Sequence, residues 1–299
     1  MRKILLSIIS FILFSFSFAQ SSSDIYLFDM KADKGQIILS NGINITKHKG
    51  YDNQPFFHPS KPLIYFTCSD DSTRIDSSDI KIYNFQTKQT TRFTNTADRE
   101  YSPTVTPDEK FVSCILQRRN GAQDLVKYPI DGGKPKLLIN HLKVGYHTWV
   151  SDTSLFLFVL DDSIHFSLHY YHLPNDVDTV VAENIGRGLN KIPGQNAMSF
   201  VQKITDTLSV LKKFNLGSGA VSNIIYTVKG KDQMAWLKNN IVLMSDGKQI
   251  FFYKEDPYSE FKDKKWKPVT ITGSSLKLKS ITRLATNAEN TKLALVVSE

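Results

Sequence analysis

Cysteine is nearly absent from this chain: among 299 residues only Cys68 and Cys114 carry a thiol. A disulfide-stapled scaffold of the small secreted kind is therefore excluded. Beyond the first nineteen residues there is no apolar run near the roughly 20 residues that a membrane-crossing helix needs. Nor does any later segment place apolar residues at helical spacing. No G-x-S-x-G elbow occurs, which removes the α/β-hydrolase form of serine chemistry. The formal charge is +8, with Arg2 and Lys3 supplying two of those charges. The excess is scattered, and only Arg118–Arg119 and Lys262–Lys267 are dense, so no basic stripe marks a nucleic-acid reader.

The amino terminus has the pattern of an export signal. Arg2 and Lys3 precede an apolar stretch from Ile4 to Phe18, and Ser17 and Ala19 supply small residues at the −3 and −1 positions. Cleavage after Ala19 is expected, leaving residues 20–299 as one domain in the periplasm or outside the cell.

What the remainder contains is a repeat. Asp79–Phe85, Asp124–Ile130, Ser167–Leu173, Ser209–Asn215 and Gln249–Glu255 each read as an alternating strand opened by a polar residue. Their starts are spaced 45, 43, 42 and 40 residues apart, the step of a four-stranded propeller blade. A second short strand follows each, as at Thr91–Thr94, Lys136–Ile139 and Pro268–Ile271. Between the copies lies a pair of more apolar strands joined by a tight polar turn, such as Pro103–Thr106 and Phe111–Leu116. The two ends complete the count. Asp24–Met30 and Gly35–Leu39 copy the outer pair, while Ile281–Ala285 and Leu293–Val297 copy the inner pair. The expected fold is thus all-β, a six-bladed β-propeller whose last blade is closed by N- and C-terminal half-blades. This closure leaves few strand edges exposed. Cys68 and Cys114 fall on adjacent blades; facing sheets stand about 10 Å apart, beyond the reach of a disulfide at about 7 Å, so free thiols are expected.

The stretch from Arg99 to Lys110, with Ser102-Pro103 and Pro107-Asp108-Glu109, resembles the turn signature of TolB-like, or WD40-like (PD40), propeller repeats. Tyr51–Pro59 is similar to a second copy. Glu109 stands where that family has Gly, and Ser60-Lys61 replaces its Asp-Gly. The resemblance implies a cell-envelope setting and binding through the ring's face or channel, often to another protein. It implies no catalytic constellation.

Several tempting sites fail on elementary grounds. His165 and His169 lie four residues apart on an extended strand, about 13 Å, and His172 points to the opposite face, so one metal ion cannot gather them. The acidic stretch Asp70–Asp79 lacks the Gly and closing Glu of an EF-hand loop. Asp161 and Asp162 are adjacent, and on a strand would face opposite ways. No metal or other cofactor is expected. The candidates that remain sit where innermost strands enter the ring: Asp52, Arg99, Tyr101, Tyr146, His147 and Arg187. Their mix of aromatics and cations suits a peptide or a sugar. The first expectation is a monomeric, non-catalytic binding propeller with an envelope protein partner. Rival expectations are a glycan or small ligand at the channel mouth, and a lyase or hydrolase site assembled from several blades.

Overall fold

The computed structural model describes residues 22–298 apart from 34, 48, 71–76, 161–165, 229, 230, 257 and 274–277. They form a β-propeller. Taken from the inside outward, blade 1 comprises Gly50–Phe57, Leu63–Asp70, Asp79–Asn84 and Gln89–Arg92. Blade 2 comprises Arg99–Val105, Phe111–Gln117, Gln123–Pro129 and Lys136–Ile139, and blade 3 Val144–Ser151, Ser154–Leu160, Phe166–His172 and Val177–Glu183. Blade 4 follows with Ile185–Lys191, Ala197–Lys203, Ser209–Asn215 and Val221–Tyr226, then blade 5 with Met234–Leu237, Ile241–Ser245, Ile250–Lys254 and Lys267–Pro268. The last blade takes its inner strands, Ile281–Thr286 and Lys292–Ser298, from one end of the chain. Its outer strands, Ser23–Asp33 and Gln36–Asn44, come from the other.

The two ends are joined in register from Ser23 opposite Ser298 to Asp29 opposite Lys292. The backbone of this last blade meets that of blade 1 at a parallel bridge between Ser23 and Tyr51. Innermost strands touch in cyclic order, and Ile281–Thr286 returns to Gly50–Phe57. The ring is therefore shut by backbone hydrogen bonds within a blade, which a ring cannot open without unzipping a ladder.

There is no central core. Apolar clusters lie instead between each pair of neighbouring blades. Tyr65 and Ile80 meet Val105 and Val112 across blades 1 and 2, and Ile115 meets Trp149 and Leu157 across blades 2 and 3. Phe156 and Leu168 pack on Met198 and Phe200, Val201 on Trp236 and Met244, and Leu243 on Phe28 and Leu293. Ile25 and Val296 close the circle on Phe66 and Tyr83. A middle strand is covered on both faces, so Ser154–Leu160 is apolar almost throughout, whereas the outermost Gln89–Arg92 is exposed along its length. Each fully buried Leu, Ile or Phe contributes about 1.5–3 kcal/mol.

Cys68 and Cys114 are both buried and are not joined in a disulfide. The outer strand expected over Pro268–Ile271 is broken. Lys267–Pro268 stays with blade 5, but Thr270–Ile271 leaves it to pair in parallel with Ile38 and Leu39 of the last blade. Pro268 has no N–H to give the ladder, so the break falls where the ladder is weakest.

Glu109 explains the family's glycine. It sits in the turn between the inner strands of blade 2 with φ of 56°, the left-handed conformation that glycine adopts without cost. Asp108 holds that turn by accepting hydrogen bonds from Thr106 Oγ1 (2.6 Å) and from the Lys110 N–H (3.2 Å).

Candidate functional site

Several innermost strands carry irregular ladders. Register shifts interrupt Gly50–Phe57 after Asn53, Arg99–Val105 after Tyr101, Val144–Ser151 beside Tyr146 and Ile185–Lys191 before Leu189. Such bulges bend a strand and re-aim its side chains. Gln54 and Ser102 occupy equivalent bulge positions in blades 1 and 2, each with a left-handed φ (57° and 55°). Their position forces a conformation that non-glycine residues adopt only at a cost of about 1–2 kcal/mol.

These strands wall a cavity of about 570 Å³ in the central channel. Every blade contributes: Gln54, Ser102, His147, Asn190, Trp236 and Arg283 come from blades 1 to 6 in turn. The volume is that of a small-molecule site.

Its charged groups are tied together on one side. Arg187 makes a bidentate pair with Asp232, with both distances 3.0 Å, and its backbone N–H also donates to Asp232 Oδ2 (3.0 Å). Arg283 donates to Tyr146 Oη (2.8 Å) and to Gln233 Oε1 (3.3 Å), and its guanidinium lies 4.9 Å from the Tyr146 ring centroid. Burial alone would raise the Tyr146 phenol, but the charges of Arg283 and Arg187 outweigh it and hold its pKa below the usual value. Burial also pushes the Asp232 carboxyl upward, and the hydrogen bonds and charge of Arg187 more than reverse this. Gly186 and Gly188 make the approach possible. A Cβ on Gly188 would lie 2.2 Å from the Asp232 carbonyl oxygen, and one on Gly186 2.5 Å from Asp232 Cβ. Gly188→Ala is therefore expected to cost about 1–3 kcal/mol through overpacking against backbone. A urea titration should show a lower midpoint at unchanged slope.

Around the same cavity, three lining residues carry buried polar atoms with nothing to bond. Ser102 Oγ, His147 Nδ1 and Gln233 Nε2 are buried and have no hydrogen-bond partner among the described residues, and all three residues line the cavity. Because Gln233 Oε1 accepts from Arg283, its amide orientation is fixed and the orphaned end is the donor. A buried unpaired polar group costs about 1–3 kcal/mol, so three around one space mark a place built for something else.

His147 is held from behind. Its Nε2 lies 2.7 Å from Ser113 Oγ, which also accepts from Trp149 Nε1 (2.8 Å) and reaches the Thr104 carbonyl (3.0 Å). Burial lowers the imidazole pKa to about 3, so the ring is neutral at any physiological pH. It offers the cavity a hydrogen-bonding edge rather than a charge.

Of the six residues singled out from the sequence, Tyr146, His147 and Arg187 meet at this cavity. Asp52, Arg99 and Tyr101 do not line it. Asp52 is fully buried, with its carbonyl accepting from Ser23 Oγ (3.0 Å). Arg99 bridges to Ser78, and Tyr101 packs in the cluster between blades 2 and 3. All three precede their strand's bulge. Sequence reasoning missed Arg283, Gln233 and Ser102. Ser102 had a signal, since it repeats Gln54 in the second copy of the turn motif; Arg283 and Gln233 had none.

A second cavity of about 810 Å³ opens between blades 3, 4 and 5, sharing Tyr146 and Arg187 with the first. Elsewhere, Ser167 Oγ lies 2.7 Å from His169 Nε2, whose Nδ1 lies 2.8 Å from both Asp178 oxygens. The order is that of a nucleophilic triad, but Ser167 is buried and lines neither cavity, so these residues clasp two outer strands of blade 3. His172 bonds Asn175. His165, Asp161, Asp162 and residues 71–76 of the acidic stretch lie outside the described residues, as does the leader over residues 1–19. Among the described residues, no three His, Cys, Asp or Glu side chains are grouped to hold a metal ion. No helix there is long and apolar enough to cross a membrane.

No family model matches the sequence, and no curated protein matches it. Solved structures do resemble the fold. A putative TolB from Agrobacterium tumefaciens aligns with TM-score 0.67 at 11% identity over 94% of this chain and 99% of its own. TolB from Acinetobacter baumannii aligns with TM-score 0.58 at 10% identity over 92% of this chain, which spans 64% of that one. An oligogalacturonate lyase in complex with manganese aligns with TM-score 0.49 at 12% identity, over 94% of this chain and 98% of its own, too distant to carry an argument. At these identities the likeness establishes the architecture: the chain has a TolB-like β-propeller fold.

Proposed function

We propose that this chain is an exported binding propeller of the cell envelope whose ligand seats in the central channel. The observation that carries the reading is one cavity walled by all six inner strands, three of whose lining residues carry buried, unpartnered polar atoms. The leader pattern of residues 1–19 supports export.

A protein partner docked on a face would favour a contiguous apolar patch. The exposed large apolar side chains include Leu137, Val180 and Val221 on the outer strands of blades 2, 3 and 4, and Ile43 with Ile271 on the outer side of the last blade. That dispersal favours a ligand held inside the ring, the glycan or small-molecule alternative, over a partner laid across it. Catalysis has less support. His147 is held neutral and Asp232 is fully engaged by Arg187, so neither is poised to exchange a proton near pH 7.

The experiment is native mass spectrometry of purified residues 20–299 after incubation with a periplasmic extract. Its control is Ala288→Trp, which adds an indole at an exposed turn bordering the cavity. A bound mass present in the wild type and absent from the variant is the expected result. Equal retention by both proteins contradicts the reading.

A further inference from the structure

The cavity's own chemistry names the class of ligand, an inference that rests on the channel reading above. Four cationic side chains line it, Arg187, Lys191, Lys238 and Arg283, and no Asp or Glu does so among the described residues. The carboxylate behind the wall, Asp232, is consumed by Arg187. Among the described residues Arg283 has no carboxylate within salt-bridge distance, although its charge acts on Asp232. It spends one N–H on Gln233 and one on Tyr146, leaving three of the five donors of a guanidinium. Gln233 and Ser102 also line the space, and each carries a buried polar atom with no hydrogen-bond partner among the described residues. Positive charge therefore exceeds negative around this space, and the low dielectric of a narrow channel strengthens its pull on an anion.

The rest of the wall is of another kind. Phe56, Pro103, Leu189, Met234, Trp236 and Leu284 give it an apolar lining with flat surfaces. An inorganic anion would use the donors and leave that lining wet. A neutral sugar or hydrocarbon would use the lining and leave the cations unmatched.

We propose that the channel binds a small organic acid, a carboxylate carried on a ring-sized body, with the carboxylate taken by Arg283 and the body laid against Phe56, Leu189 and their apolar neighbours. Arg283 is suited to this because its planar fork matches a carboxylate in two hydrogen bonds. Tyr146 holds that fork in place through its ring and its hydroxyl. Lys191 and Lys238 raise the local anion concentration, so binding weakens with salt.

The test uses matched acids and amides, which differ in charge and hardly in size: phenylacetate with phenylacetamide, and glucuronate with glucuronamide. Ligand-observed NMR and calorimetry on residues 20–299 read affinity for each. At least one acid should bind roughly 10-fold or more tightly than its amide. That preference should vanish in Arg283→Met, and shrink in Lys238→Gln, an exposed rim position that leaves the fold intact should the first variant fail to fold. Which acid wins separates an aromatic acid from a sugar acid. Acids and amides that bind alike, with Ala288→Trp abolishing both, would overturn the anion inference and leave the channel reading standing. Acids that bind the wild type and Ala288→Trp equally would overturn both.

Discussion

Ser113→Ala is expected to lower the melting temperature by about 10 °C, although it removes one oxygen atom and creates almost no cavity. The hydroxyl is fully buried and serves three groups: the Trp149 indole N–H, His147 Nε2 and the Thr104 carbonyl. Alanine leaves the indole donor and one imidazole nitrogen with no partner and no access to water. Each such group costs about 1–3 kcal/mol, more than an ordinary hydrogen bond contributes, because desolvation is then uncompensated. The dependence can be isolated by a double-mutant cycle. Trp149→Phe should cost less in the Ser113→Ala background than in the wild type, since the donor it deletes is already orphaned. Additive losses in thermal scans would mean that the hydroxyl does not join these groups. Ligand binding should weaken as well, because His147 loses the contact that fixes its ring at the cavity.

Glu100→Gln should do the opposite, raising the melting temperature by about 6 °C at pH 8 while changing it little at pH 4.5. Glu100 is fully buried between blades 1 and 2, and accepts from Thr96 Oγ1 (2.5 Å), Thr94 Oγ1 (3.3 Å) and the Tyr128 hydroxyl (3.2 Å). Burial raises its pKa from 4.5 to about 7, and the charge of Asp79 adds to this against the three hydrogen bonds. A carboxyl whose folded pKa is raised binds its proton more tightly in the folded state. Its stabilising contribution is complete below pH 4.5 and is lost as pH climbs through 7. The shift corresponds to at most about 3 kcal/mol. Glutamine keeps the shape and two of the acceptor contacts without a charge to desolvate. The same burial, with the nearby Glu100 charge, holds the Cys114 thiol well above its ordinary pKa. If the glutamine variant gained as much at pH 4.5 as at pH 8, the gain would not come from ionisation.

Much of the architecture was legible because a propeller repeats its strands at a fixed step, and Asp79–Phe85 and its copies carry that step openly. The half-blades were legible for the same reason, since Ile25 and Val296 each continue a pattern whose other half lies at the far end. The turn signature was legible in only two blades because the task it performs has several chemical solutions. Asp108 caps its turn with a carboxylate, His58 Nδ1 accepts from the Ser60 and Lys61 N–H groups (both 3.2 Å), and Asn287 Oδ1 accepts from those of Thr291 and Lys292. One local need met by three residue types leaves no motif to find.

The site was half legible. Reading inner strands as strict alternation places Asp52, Arg99 and Tyr101 beside the channel. Bulges after Asn53 and Tyr101 move the channel-facing role to Gln54 and Ser102 instead. These two bulges each place a residue at positive φ, and neither Gln nor Ser announces that conformation as a glycine would. Asp52 and Glu100 occupy matching positions ahead of their bulges and are both fully buried, so the acid there belongs to the seam between blades. Arg283 and Gln233 were beyond reach for another reason. They meet across blades 5 and 6, and nothing within either segment tells of the other.

The channel can be inspected with crystals of residues 20–299 soaked in the tighter-binding acid. Electron density for the ligand inside the ring, with its carboxylate within hydrogen-bond distance of Arg283, is the result expected here. Density seated on an outer strand or on a blade edge, with the channel holding only solvent at saturating ligand, would contradict it.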